Sequence, residues 1–165
     1  MKIEADKKSV LSPMPRVIVT VRDKNGFDNA LVVGYCGNCS FAPPMVMVGI
    51  VPSRYSYHMI KENGCFVVHL VNNNQSELYK CCGSESAKDG DKLKKHGIKL
   101  HNANIVNAAI IDECPVAIEC TVVDSIMTGS HEMFIGKVEY VHADSENVGK
   151  DGKIDFSKLD IMRGN

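Results

Sequence analysis

The stretch Pro43–Gly64, PPMVMVGIVPSRYSYHMIKENG, decides how the rest of the chain is read. Its apolar run Met45–Val51 predicts a strand, and the polar turn Pro52–Tyr55 leads into a helix over about Ser56–Glu62, stopped by Asn63-Gly64. Ser53, Arg54, Tyr55 and Ser56 bring two hydroxyls, a guanidinium and a phenol to the point where the helix starts. A helix N-terminus leaves backbone N–H groups unpaired and carries partial positive charge, so it favours an anion. Arg54 adds a planar fork of donors suited to phosphate. The same residues also fit an ordinary helix cap beside a surface arginine, and residue types alone do not separate the two.

Towards the N-terminus, Arg16–Arg22 (RVIVTVR) is β-branched and predicts a strand. Asn25-Gly26 marks a hairpin turn, and Ala30–Tyr35 returns as its second strand. Cys36–Pro44, rich in Gly, Asn and Pro, reads as a connection into Met45–Val51. Met1–Pro15 is a polar, proline-punctuated arm expected to wrap the surface.

Towards the C-terminus, Cys65–Val71 predicts a buried strand, Gln75–Cys82 a short helix, Gly83–Gly90 a loop, and Asp91–His96 one or two helical turns ended by Gly97. Ile98–Ala109 fits neither period. Val116–Met127 and Glu132–His142 alternate apolar and polar residues around Thr128-Gly129-Ser130-His131, the pattern of a long hairpin. Residues 144–165 form a polar extension with a turn at Lys150–Lys153 and a weak final helix. Strands that do not alternate with long helices disfavour a doubly wound sheet. The expectation is a mainly β chain, residues 1–165 in one domain, whose antiparallel sheet closes wholly or partly into a barrel with short helical excursions.

With 19 Lys+Arg against 20 Asp+Glu, the net charge of -1 argues against a general nucleic-acid binder or a polybasic membrane surface. No apolar run approaches the ~20 residues of a membrane span, and MKIEADKKSV holds no apolar signal core, so a cytoplasmic protein is expected. Seven Cys is an odd number, and Cys65, Cys114 and Cys120 sit in apolar contexts, where reduced thiols act as small hydrophobes.

Each remaining motif carries two readings. Cys36-Gly37-Asn38-Cys39 is a C-x-x-C, but Pro43-Pro44 follows too closely for the helix a redox pair usually opens, and Cys81-Cys82 is poorly placed to complete a zinc site. His131 at the hairpin tip fits a ligand-facing donor or an exposed turn residue. His69 lies within an apolar strand and reads as a satisfied core residue, whereas His58, His96, His101 and His142 carry no pattern. Lys92, starting a helix after a flexible loop, fits a phosphate partner or a solvated surface lysine. Asn29 ends the first turn, where plain turn chemistry also explains it. There is no dinucleotide-binding glycine motif, P-loop, nucleophile elbow or zincin motif, and no paired carboxylates stand out.

Taken together, VTVRDKNGFDNALVVGYCGNCSFAPPMVMVGIVPSRYSYHMIKENGCFVVHL, CGSESAKDGDKL, IDECPVAIECTVVDSIMTGSHEMFIGKVEYVHAD and GKIDFSKLD resemble the flavin reductase-like family of FMN-binding split barrels, flavoredoxins above all. The resemblance implies a six-stranded antiparallel Greek-key barrel and a homodimer with FMN near the subunit interface. It implies flavin contacts at Asn29, Tyr35 and Cys36, a phosphate cradle at Ser53, Arg54 and Ser56, a basic contact at Lys92 and a histidine beside the cofactor at His131. Tyr35 stands where members of the family more often carry Trp. The chain stops at Met162–Asn165, where the family continues with an aromatic-containing tail, which implies a shortened or absent lid over the flavin. The expected activity is electron transfer from NAD(P)H or a protein donor through FMN, with no catalytic side chain required. An FMN-binding electron carrier without enzymatic activity is the alternative, and a thiol-redox or zinc protein using Cys36 and Cys39 the third.

Overall fold

The computed structural model describes residues 1–164, so Asn165, the last residue of the expected C-terminal extension, lies outside the described residues. The strands are β1 (Met14–Pro15), β2 (Val17–Arg22), β3 (Asp28–Val33), β4 (Tyr35–Ser40), β5 (Met45–Ile50), β6 (Cys65–Leu70), β7 (Leu100–Asn102), β8 (Ala109–Ile111), β9 (Val116–Met127), β10 (Glu132–Ala143) and β11 (Arg163–Gly164). The α-helices are α1 (Ser56–Asn63), α2 (Ser76–Ser84) and α3 (Lys92–Lys95).

Seven strands form one antiparallel sheet in the order β3-β2-β6-β9-β10-β5-β4. Its two edges, β3 and β4, are consecutive in the chain and separated by Gly34 alone. A single residue cannot span a flat sheet of this width, so the sheet must curl until its edges meet at that corner. Closure by a bent strand rather than by a hydrogen-bonded ladder is what splits the barrel. Counted as one strand bent at Gly34, β3 and β4 reconcile the seven strands with the six expected. The path from β5 through α1 to β6 steps over the β9–β10 hairpin, a Greek-key crossing.

β4 corrects the reading of Cys36–Pro44 as a connection: Tyr35–Ser40 pairs with β5 from Tyr35↔Gly49 to Ser40↔Met45, with a bulge between Asn38 and Ser40. Gly and Asn are poor strand formers, but an edge strand held by one neighbour tolerates them, and a bulge blunts the open edge.

β2 and β6 are buried on both faces, which explains their nearly continuous apolar composition. One face gives the barrel interior, where Val17, Val19 and Val21 pack with Phe66, Val68, Cys120, Phe134 and, from α1, Met59 and Ile60. On the other, Ile18 packs against Leu78 and Cys82 of α2, Leu93 of α3 and Ile111 of β8. His69 lies in this layer as a satisfied core residue: the Ile111 N–H donates to its Nε2 at 3.1 Å, so Nδ1 carries the proton towards Ile18 O at 3.3 Å. α1 ends at Gly64, whose φ of 69° fits a left-handed cap and whose N–H donates to Ile60 O at 2.9 Å.

The base of the N-terminal arm meets the last described residues. β1 pairs with β11, Met14↔Gly164 and Pro15↔Arg163. The helix expected late in the chain is only a 3-10 turn at Phe156–Lys158, capped by Asp155; the segment follows its pairing with β1 and with Asn72 rather than its weak helical propensity. No helix among the described residues is long and apolar enough to cross a membrane.

Candidate functional site

Strand β5, the Pro52–Tyr55 turn and α1 place Arg54 and Ser56 at one wall of a cleft of about 230 Å³. Asn29 and Leu31 of β3 form its floor, and the segment Gly83–Ala87, from the end of α2 into the turn that follows, forms its opposite wall with Lys92 of α3. Ser56, the first residue of α1, is buried and accepts a hydrogen bond from Asn29 Nδ2 at 2.8 Å. No side chain caps the start of α1, and the Tyr57 N–H donates to Arg54 O at 3.0 Å within the turn. Asn29 Oδ1 is buried without a hydrogen-bond partner, an orphan that normally costs free energy unless a ligand or water meets it.

Lys92 departs from the surface-lysine reading. Its side chain is buried, and its ammonium donates to the carbonyl oxygens of Cys82 and Glu85, both at 2.8 Å. Among the described residues no carboxylate pairs with it: the Glu85 carboxylate turns away to Lys95 and His96. Burial pushes the Lys92 pKa below its ordinary value. A buried cation held only by neutral carbonyls is incompletely compensated, and an anion in the cleft is the natural counter-charge. Arg54 stays exposed at the cleft edge.

The eight residues singled out in the sequence do not form one cluster within the chain. Asn29, Arg54, Ser56 and Lys92 line this cleft. Tyr35, Cys36 and His131 line a second, open hollow of about 670 Å³ between β4, the N-terminal arm and the β9–β10 turn. There the rings of Tyr35 and His131 meet edge to face, centroids 4.9 Å apart, with Ser9 Oγ 3.3 Å from the Tyr35 hydroxyl. Ser53 is exposed in the turn and lines neither hollow. The bent strand Asp28–Ser40 joins the two places, carrying Asn29 at one end and Tyr35 and Cys36 beyond the corner.

Burial pushes the Cys36 thiol up to about 12, which favours its protonated form. Sequence reasoning missed the Gly83–Ala87 wall and the two carbonyls that hold Lys92. The small polar run before Lys92 was the available signal: Ser86 caps the 3-10 turn Ala87–Asp89, and Asp91 caps α3.

Among known proteins, an uncharacterized protein of Aeropyrum pernix is 29% identical over 135 residues, covering 81% of this chain and 51% of that one, so the chain spans about half of its length. The FMN reductase (NADH) RutF of Pseudomonas syringae is 25% identical over 116 residues, 70% of this chain and 61% of that protein. Flavoredoxin from Methanosarcina acetivorans superposes with a TM-score of 0.89 at 26% identity, covering 99% of this chain and 86% of that one. The family described as flavin reductase like domain matches over residues 10–155, a span that takes in the whole curled sheet and both outer helices, and the chain belongs to it.

Proposed function

We propose that the chain binds FMN and works as a flavin-dependent oxidoreductase, accepting electrons from NAD(P)H or from a redox protein and passing them on. The observation that carries this reading is the buried Lys92 ammonium, without a carboxylate partner among the described residues, in the same cleft as Arg54 and Ser56. The donors present fit a phosphate monoester: a buried ammonium, a guanidinium and the Ser56 hydroxyl all favour a compact anion of high charge.

In this reading Arg54, Ser56 and Lys92 hold the phosphate, with Ser53 on the same turn. Asn29 Oδ1 is free to accept from a ligand donor. Tyr35, Cys36 and His131 offer a wall for the flavin ring along the same bent strand. Bound FMN supplies the redox chemistry. The chain's part is to neutralise the phosphate, orient the ring and leave access to an electron donor, which needs no acid or nucleophile of its own. NADH as donor is supported by the name of the Pseudomonas syringae relative. A homodimer and a cytoplasmic setting belong to the same reading; all seven cysteines are free, as a reducing compartment keeps them.

The test is Arg54→Ala. Only FMN, not riboflavin, carries the phosphate, and a charge-assisted contact contributes roughly 1.5–3 kcal/mol, about ten- to a hundredfold in affinity. FMN binding is expected to weaken by that factor while riboflavin binding barely changes. Equal weakening of both would put the phosphate elsewhere.

A further inference from the structure

Ser84 and Glu85 line the cleft on one side and, on the other, an open hollow of about 440 Å³ that the proposed flavin site does not use. Three side chains of different chemistry converge there. Cys81 lies in α2, Glu85 directly follows it, and His96 directly follows α3. The Cys81 Sγ, a Glu85 carboxylate oxygen and a His96 ring nitrogen lie within 4.8 Å of one another. His96 Nε2 sits 2.5 Å from Glu85 Oε1, while Glu85 Oε2 accepts from Lys95 Nζ at 2.8 Å. Glu77 and Glu113 add carboxylates around the same hollow. Among the described residues this is the one group of three such side chains that draws its ligand atoms so close.

We propose that Cys81, Glu85 and His96 bind a zinc ion, with three protein ligands and solvent in the fourth position. Thiolate, imidazole and carboxylate together suit zinc rather than magnesium or calcium, which take oxygen ligands. At zinc–ligand distances of about 2.0–2.3 Å, tetrahedral ligand atoms lie about 3.3–3.8 Å apart, so small side-chain rotations bring the three into place. The ion replaces the Cys81 thiol proton, which leaves to solvent, and takes the Nε2 lone pair once His96 holds its ring proton on Nδ1. Lys95 remains on the second oxygen of Glu85 and fixes its orientation. The hollow opens to solvent, giving an entry path and room for the fourth ligand. Binding would tie the end of α2 to the end of α3, across the segment whose Cys82 and Glu85 carbonyls hold Lys92.

Zinc titration of the full chain against a competing chromophoric chelator tests this, with cobalt substitution as a second readout. The native chain should take up one zinc, and its cobalt form should show a thiolate-to-metal charge-transfer band. His96 is partly exposed, so His96→Ala should fold normally while weakening zinc by at least ~10-fold. Cys81→Ser should abolish the charge-transfer band. The double variant Cys36→Ser/Cys39→Ser should leave both uptake and band unchanged. No zinc uptake by the native chain overturns the site. So does native affinity in His96→Ala, or loss of binding in the Cys36/Cys39 variant alone.

Discussion

His69 occupies the middle of β6 with no exposed surface, accepting the Ile111 N–H on Nε2. Protonating that nitrogen would set a donor against a donor in a dry layer, and burial accordingly lowers its pKa from 6.5 to about 4. Between those two values the unfolded chain takes up a proton that the folded chain refuses. Folding stability is therefore full above pH 6.5 and falls as pH drops towards 4, by about 1.4 kcal/mol per pH unit from this group. Urea unfolding at pH 7 and pH 5 should show the native chain losing about 2 kcal/mol more than His69→Asn, whose amide does not titrate. Equal losses would mean that His69 is protonated in the fold. The placement of His69 was legible, because an apolar run surrounds it in the sequence. Lys92 was not, because its burial depends on the carbonyls of Cys82 and Glu85, which no local pattern announces.

Among the elements, the β9–β10 hairpin was read almost to the residue, since alternation over two twelve-residue strands leaves little freedom. β4 was misread because its strand character comes from pairing with β5, not from its own residues. The barrel interior sets a demand that spacing does not reveal. A Cβ on Gly136 of β10 would lie 2.5 Å from Phe66 Cζ and 2.7 Å from Cys120 Cβ. Neither neighbour is a flexible chain end, and overpacking of this kind costs about 1–3 kcal/mol. Gly136→Ala should therefore lower the thermal midpoint by several degrees, about 2–4 °C per kcal/mol for a chain of this size. Adding Phe66→Leu should return part of the loss. An unchanged midpoint in Gly136→Ala would mean that the β9–β10 hairpin yields freely.

At the scale of the whole molecule, the predicted flavin contacts divide between a phosphate-ready cleft and an open hollow joined by one bent strand. The division was invisible in the sequence, where Asn29, Tyr35 and Cys36 stand close together and only the corner at Gly34 separates them. An open ring site is completed most simply by a second copy of the chain, and the hairpin leaves apolar side chains exposed, Val123, Ile126 and Met127 on its outer half and Tyr140 and Val141 nearer its base. Sedimentation at micromolar protein should report twice the chain mass of 18.1 kDa; a monomer that still holds FMN tightly would show that one chain makes the whole site. The central claim, that the Lys92 cleft is built for a phosphate, is tested most directly by titrating FMN and riboflavin separately into the flavin-free native chain and following flavin fluorescence. The account predicts FMN at least about tenfold tighter than riboflavin, one charge-assisted contact or more; equal affinities for the two would contradict it.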